Sequence, residues 1–218
     1  MRDPARLEVI NSIIQGIRKA QEDYKKAYMS HICSSYAPEY LMTVYIFQSI
    51  LELKEECNCT YGLSLEEPVK ELATSLGARP RYPKDARVYG YCDLLLRDIN
   101  DKPRAAIEVK KYAWDYPEDL GRLAYLVEKG LEFGVFASCW FEEVKDNNHK
   151  EAEDRLKEEI QCIHEHIRKH IRRRYNKLLI ERELGNIERL VLEGETLDQK
   201  EESRWCPVCF VVYRKEDQ

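Results

Sequence analysis

The sequence predicts an α/β fold with a mixed sheet flanked by helices, and three observations carry that prediction. Two short apolar runs, 93–96 (DLLL) and 105–109 (AAIEV), are joined by a polar turn at 99–102, the layout of a strand pair. The second run is followed by an amphipathic helical segment at 117–130 and then by a dense apolar run at 133–141 (FGVFASCWF). A strand–helix–strand crossover of that kind lets the two strands pair in parallel, normally with a right-handed connection. Long helical stripes near both ends of the chain supply the covering layers. With 218 residues and 44% hydrophobic content, one sizeable core and a single domain over 1–218 are expected.

The elements follow in order. Residues 4–28 predict a helix, with Pro4 in its first turn and Leu7, Ile10, Ile14 and Ile17 on its inner face. Residues 34–54 predict a second, capped by Ser34 or Ser35, with Pro38 and Glu39 in its first turn. Its body, YLMTVYIFQSILEL, is apolar almost all round, which predicts deep burial. Residues 65–76 predict a short helix stopped by Gly77, and 78–87 a loop. After the strand pair, Pro117 opens a helix whose inner face is Leu120, Leu123, Ala124 and Val127, and Gly130 ends it. The run 133–141 reads as a strand covered on both faces. Residues 145–183 predict one long helix, because Leu156, Ile160, Ile163, Ile167 and Ile171 form a continuous stripe. Residues 190–192 predict a short strand, and 208–213 a strand at the sheet edge or closing a dimer.

Charged residues make up 34% of the chain and the net charge is −5, which argues against a wholly basic nucleic-acid coat but leaves room for a local basic surface. No apolar run approaches the roughly 20 residues that span a bilayer, so no membrane association is expected. The N-terminus lacks the layout of a signal peptide, so a cytoplasmic location and reduced thiols are expected for the eight cysteines.

The chemistry concentrates between Tyr89 and Lys111. Asp93 opens one apolar strand, and Glu108 lies inside the other, two residues before Lys110. Alternation puts Glu108 and Lys110 on one side of the strand, and pairing through the 99–102 turn brings Asp93 to the same side. Unpaired buried charge costs several kcal/mol, roughly, even after relaxation. A divalent cation between the carboxylates would remove that cost. Glu-x-Lys also occurs at Glu52–Lys54 and Glu143–Lys145, but only the middle copy lies inside an apolar strand.

On these residues the chain resembles the PD-(D/E)XK nuclease superfamily, the restriction-endonuclease-like fold with an αβββαβ core. The matching stretches are GYCDLLLRD, AAIEVKK, DLGRLAYLVEKG and FGVFASCWF, with PEYLMTVYIFQSIL as the preceding helix. Together they cover about 35–141, leaving a helical extension at about 145–184 and a C-terminal strand at about 206–214. Cys92 stands where the name-giving proline would be. The resemblance implies a nuclease binding Mg²⁺ or Mn²⁺ through Asp93, Glu108 and the Val109 carbonyl. It gives Lys110 the attacking water and the charge growing on the phosphate, and Glu39 a metal-bound water or a second metal ion to hold.

Nucleic acid, DNA ahead of RNA, is the implied partner, and a homodimer would let two sites cut two strands. Arg79, Arg81 and Lys84 in the loop before the site, and Arg168, Arg172 and Arg173 in the late helical stretch, are candidate phosphate contacts. A second hypothesis keeps the fold but makes it a catalytically weak module that binds nucleic acid or protein. A third is a zinc scaffold through the Cys57/Cys59 and Cys206/Cys209 pairs, whose spacing suits metal ligands.

Overall fold

The computed structural model describes residues 5–28, 37–56, 61–78, 89–111, 116–193 and 200–215. Five helices and seven strands are formed by these residues: α1 (Arg6–Tyr28), α2 (Glu39–Glu56), β1 (Gly62–Pro68), α3 (Val69–Ser75), β2 (Tyr91–Arg97), β3 (Pro103–Lys110), α4 (Tyr116–Lys129), β4 (Phe133–Glu143), α5 (His149–Arg174), β5 (Leu178–Leu184), β6 (Glu188–Glu193) and β7 (Lys200–Arg214).

The strands form one open mixed sheet in the order β1-β2-β3-β4-β7-β5, with β6 also paired to β7. β3 and β4 run parallel through the α4 crossover, as expected, and every other neighbouring pair is antiparallel. Alternation along the strands builds two cores. Leu94, Leu96, Ala105, Ile107 and Val109 face α1 and α2, whereas Leu95, Ala106 and Phe136 face α3, α4 and α5. The sheet is therefore covered on both faces, which is why β4 is buried over its first eight residues.

Several expectations are corrected. The stretch 65–76 is not one helix: Gly62–Pro68 is an edge strand paired with β2, and only Val69–Ser75 is helical. Pro68 marks the boundary, since proline suits the start of a helix and pushes the residue before it into extended backbone. The long helix ends at Arg174, and Leu178–Leu184 is a strand. The apolar stripe stops at Ile171, after which Leu178 and Ile180 alternate with exposed or half-exposed neighbours at strand period.

The C-terminal strand is fifteen residues long and internal: β4 covers one of its edges, while β5 and β6 share the other. The segments after 145 thus belong to the same sheet as the earlier core. Leu7 is exposed, and α1 buries Val9, Ile10, Ile13, Ile17, Ala20 and Tyr24 instead. α2 buries one stripe, Met42, Ile46, Ser49, Ile50 and Leu53, rather than its whole surface.

Cys206 and Cys209 stand three apart on β7 and face opposite cores, so the two thiols cannot share a zinc ion. Burial pushes the Cys206 thiol up to about 12. Cys57 and Cys59 lie outside the described residues, as do Ser34 and Ser35. Among the described residues, no helix is long and apolar enough to cross a membrane.

Candidate active site

The site is a fork between β2 and β3. The two strands pair from Leu94↔Ile107 toward the turn. On the other side of that pair they part: Cys92 and Tyr91 pair with β1, while Glu108, Val109 and Lys110 pair with β4. Asp93 sits at the crotch. The paired register with β3 ends one residue short of it, at Leu94 opposite Ile107, and Cys92 and Leu94 face opposite cores, so regular alternation is broken at Asp93. Its Oδ2 accepts the Val109 N–H at 2.6 Å, which holds the mouth of the fork together where the ladder stops. The N–H and C=O of one strand residue project to the same edge, so the Val109 carbonyl also faces β2. Glu66 of β1, on the other side of β2, breaks its own ladder opposite Asp93 and is held at φ 53°, in the left-handed region.

Two helices close the fork. The buried Gln21 of α1 accepts the Ala37 N–H at 2.9 Å and so fixes the start of α2. Glu39 in the first turn of α2 then reaches across, and Lys110 Nζ donates to its Oε1 at 2.9 Å. From α4, Asp119 Oδ2 lies 3.8 Å from the same amine. Arg122, one turn later, donates from Nη1 to Glu108 Oε1 at 2.6 Å and to the Tyr91 carbonyl at 3.0 Å. Its Nη2 lies 3.3 Å from Asp119 Oδ1. Glu108 is 1% exposed and Arg122 6%, so this pair is an interior one.

Four carboxylates and two cations therefore share one pocket of the sheet. Burial pushes the Glu108 carboxyl up to about 8; Arg122 opposes the shift, and the charges of Asp93 and Asp119 add to it. Burial also raises Asp93, against the Val109 N–H and Lys110, which lower it. For Lys110, burial pulls the amine down, but Glu39, Asp119 and Asp93 outweigh it and hold the group above the usual lysine value. Burial puts the Cys92 thiol at about 12, which makes it inert beside the acids.

The structure brings Asp93, Glu108, Lys110 and Glu39 together. It does not bring the basic cluster to them. Arg168, Arg172 and Arg173 are exposed near the end of α5. The strand that follows begins with Leu178 paired to Arg214, whereas Lys110 is level with Ser138, Val208 and Leu184. Six residues of strand, about 20 Å, and three strand widths separate the two places. Arg79, Arg81 and Lys84 lie outside the described residues.

Asp119 and Arg122 were not singled out from sequence. Their signal was available: an acid and an arginine at i, i+3 bracketing Leu120 on the helix directly after the Glu-x-Lys strand. The residues from Asp119 to Val127 are all buried, so these two charges needed partners.

Among the described residues, no group of three or more His, Cys, Asp or Glu side chains is arranged to hold a metal ion. The oxygens available at the fork are fewer. Asp93 Oδ1 and Glu108 Oε2 accept no hydrogen bond among the described residues, and the Val109 carbonyl faces the same gap. Two carboxylates and a carbonyl are hard oxygen donors of the type that suits a hard cation. Comparison of the chain with protein-family models, curated proteins and solved structures finds no match.

Proposed function

We propose that this chain is a metal-dependent nuclease that hydrolyses phosphodiester bonds, with DNA ahead of RNA as substrate. The observation that carries the reading is the convergence of acids at the β2/β3 fork: Asp93 accepts the Val109 N–H, its charge helps to raise the neighbouring Glu108 carboxyl, and Lys110 donates to Glu39 beside them. The element order α2, β1, β2, β3, α4, β4, with α3 inserted after β1, supports a restriction-endonuclease-like core.

In this reading Asp93, Glu108 and the Val109 carbonyl would hold Mg²⁺ or Mn²⁺, with both carboxylates ionised. A bound ion would supply Lewis acidity to the scissile phosphate and acidify the attacking water. Lys110 donates to that water or to a phosphate oxygen and offsets the negative charge that grows there. Glu39 orients the amine and keeps it protonated. Arg122 retains one Glu108 oxygen and so fixes the direction of the other.

The test is cleavage of plasmid, linear and single-stranded DNA with Mn²⁺, by the wild type and by Glu108→Gln, which keeps an acceptor for Arg122. Loss of cutting in the variant is expected. Equal cutting by both proteins, or none by either on DNA or RNA, counts against the reading.

One observation favours a second reading, a nuclease fold that binds without cutting: Arg122 already satisfies Glu108 as a fixed internal cation. Calorimetric titration with Mn²⁺ separates the two. A catalytic site gives a binding signal that Asp93→Asn removes; a binding module gives none.

A further inference from the structure

We infer that the C-terminal end of α5 is a second nucleic-acid surface, which holds the phosphate backbone by charge alone and needs neither the fork nor a metal ion. That surface goes beyond the nuclease reading and does not depend on it: the cluster lies about 20 Å along the strands and three strands away from Lys110. The cations that form it are gathered by the fold and left unanswered.

Arg168, Lys169, Arg172 and Arg173 are all exposed and spread over roughly 140° of the helix, opposite the buried Ile163, Ile167 and Ile171. Lys177 follows in the turn after the helix and is also exposed. Lys215 arrives from the end of β7. Its N–H donates to the Lys177 carbonyl at 3.0 Å, and its Nζ to the Asn176 carbonyl at 2.8 Å. A cation from the last strand thus joins those of the helix. The side chains of Arg168, Lys169, Arg172, Arg173 and Lys177 make no ion pair or hydrogen bond among the described residues. Glu165, one turn before Lys169, instead accepts from Gln161 Nε2 at 2.9 Å. By contrast Arg18, Lys19, Arg104, Arg155 and Arg189 are each ion-paired.

Folding alone does not account for this cluster. Arg168 with Arg172, and Lys169 with Arg173, are like charges at i, i+4, which destabilise a helix. The helix dipole favours cations only in the last turn, so it explains Arg172 and Arg173 but not Arg168, Lys169, Lys177 or Lys215. The chain as a whole carries a net charge of −5, so the patch is local. What it fits is a polyanion. No large apolar side chain of α5 is exposed. A protein interface is built around an apolar core, and an interfacial membrane helix around an apolar face; the cluster offers neither. A nucleic-acid backbone asks only for cations along its line of phosphates, met without regard to sequence. Arg168, Arg172 and Arg173 also present the planar fork that matches phosphate oxygens.

Binding is measured in EDTA, so that no metal takes part. Fluorescence polarisation of a labelled random-sequence duplex is followed across a salt series for the full chain and four variants: Arg172→Ala/Arg173→Ala, Arg172→Lys/Arg173→Lys, Asp93→Asn, and Lys145→Ala/Lys150→Ala, which removes the same charge near the start of α5. The wild type should bind, with log K falling against log salt at a slope of roughly −4.5, the value for five phosphates. The double alanine variant at 172 and 173 should bind more weakly and lose about 2 from the steepness of that slope. The double lysine variant keeps the charge, should stay near the wild-type slope, and guards against misfolding as the cause. Asp93→Asn and the Lys145/Lys150 variant should also match the wild type. No duplex binding in EDTA overturns the inference, as does an unchanged slope on losing Arg172 and Arg173 or an equal loss in the Lys145/Lys150 variant. It is also overturned if losing Arg172 and Arg173 releases the chain from phosphatidylserine vesicles and leaves duplex binding intact, which would make a membrane the partner. A wild type that binds as expected but fails to cut with Mn²⁺ keeps this surface and loses the nuclease reading. One that cuts while its slope ignores Arg172 and Arg173 does the reverse.

Discussion

Arg122 Nη1 lies 2.6 Å from Glu108 Oε1, and both side chains are almost wholly removed from solvent. The acid at the centre of the fork is thus answered by a cation carried on the next helix. Asp119 and the Tyr91 carbonyl hold that cation in turn. The arrangement keeps Glu108 pointed into the fork, but it does not cancel burial, which still leaves the carboxyl at about 8.

A pH dependence follows from that raised value. The folded chain keeps the Glu108 proton over a range in which the unfolded chain, with an ordinary value of 4.5, has already released it. The associated stability is fully present below that ordinary value and is lost as pH rises through about 8. One proton limits the slope to about 1.4 kcal/mol per pH unit. Asp93 is raised too and acts with the same sign. Urea unfolding in EDTA should show stability falling across this window, and Glu108→Gln should flatten most of the fall. A flat or rising wild-type profile would sink the assignment.

Arg122→Met should be costly in a way that itself depends on pH. Above the folded value of Glu108, the variant buries an unanswered carboxylate, a loss of about 3–5 kcal/mol. In mild acid Glu108 carries a proton and the loss should shrink. Adding Glu108→Gln should recover part of the stability at high pH and little at low pH. Chemical denaturation of the four proteins at two pH values gives the coupling directly.

Lys110 and Glu39 should separate binding from chemistry. On the nuclease reading, Lys110→Met removes the amine that answers charge growing on the phosphate, and losing one such group costs about 10²–10³ in rate. Glu39→Gln keeps a weaker acceptor for Lys110 and should cost less than Lys110→Met. Neither residue supplies a fork oxygen, so calorimetric Mn²⁺ binding should survive in both variants. Single-turnover cleavage beside calorimetry checks this; parallel loss of both signals in Lys110→Met would make the lysine a structural residue.

Much of this site was legible because period 2 is a strong constraint. Once 105–110 is a strand, Glu108 and Lys110 share a face, whereas the approach of Asp93 depends on the register set by the 99–102 turn. Glu39 needed the tertiary fold, since it lies 71 residues from the amine it meets. Arg122 and Asp119 carry little signal in the sequence because i, i+3 charge pairs are common on solvated helices, and sequence does not say that α4 is buried nearly all round. β1 and β5 were hidden by neighbouring helices: Leu65 and Leu76 span a plausible helical face, and Leu178 lies seven residues beyond Ile171 on the α5 stripe. Pro68 and the Tyr175–Asn176 step were the local signs that these patterns should stop.

Gly16 links the helical layer to the chemistry. It lies where α1 crosses α2, and a Cβ there would meet the backbone of α2: Ile46 Cα at 2.5 Å, Ile46 N at 2.7 Å and Tyr45 O at 2.8 Å. Backbone cannot rotate away as a side-chain tip can, so Gly16→Ala must push the helices apart. Overpacking of this kind typically costs about 1–3 kcal/mol. The displaced helix is the one whose first turn carries Glu39, while Lys110 stays on the sheet. The 2.9 Å contact between them should therefore lengthen or break. The expected outcome is a lower urea midpoint and, on the nuclease reading, slower cleavage with Mn²⁺ binding retained. Restored cleavage at low temperature without restored packing, or destabilisation with no change in rate, would show that the position of α2 does not set the Glu39–Lys110 contact.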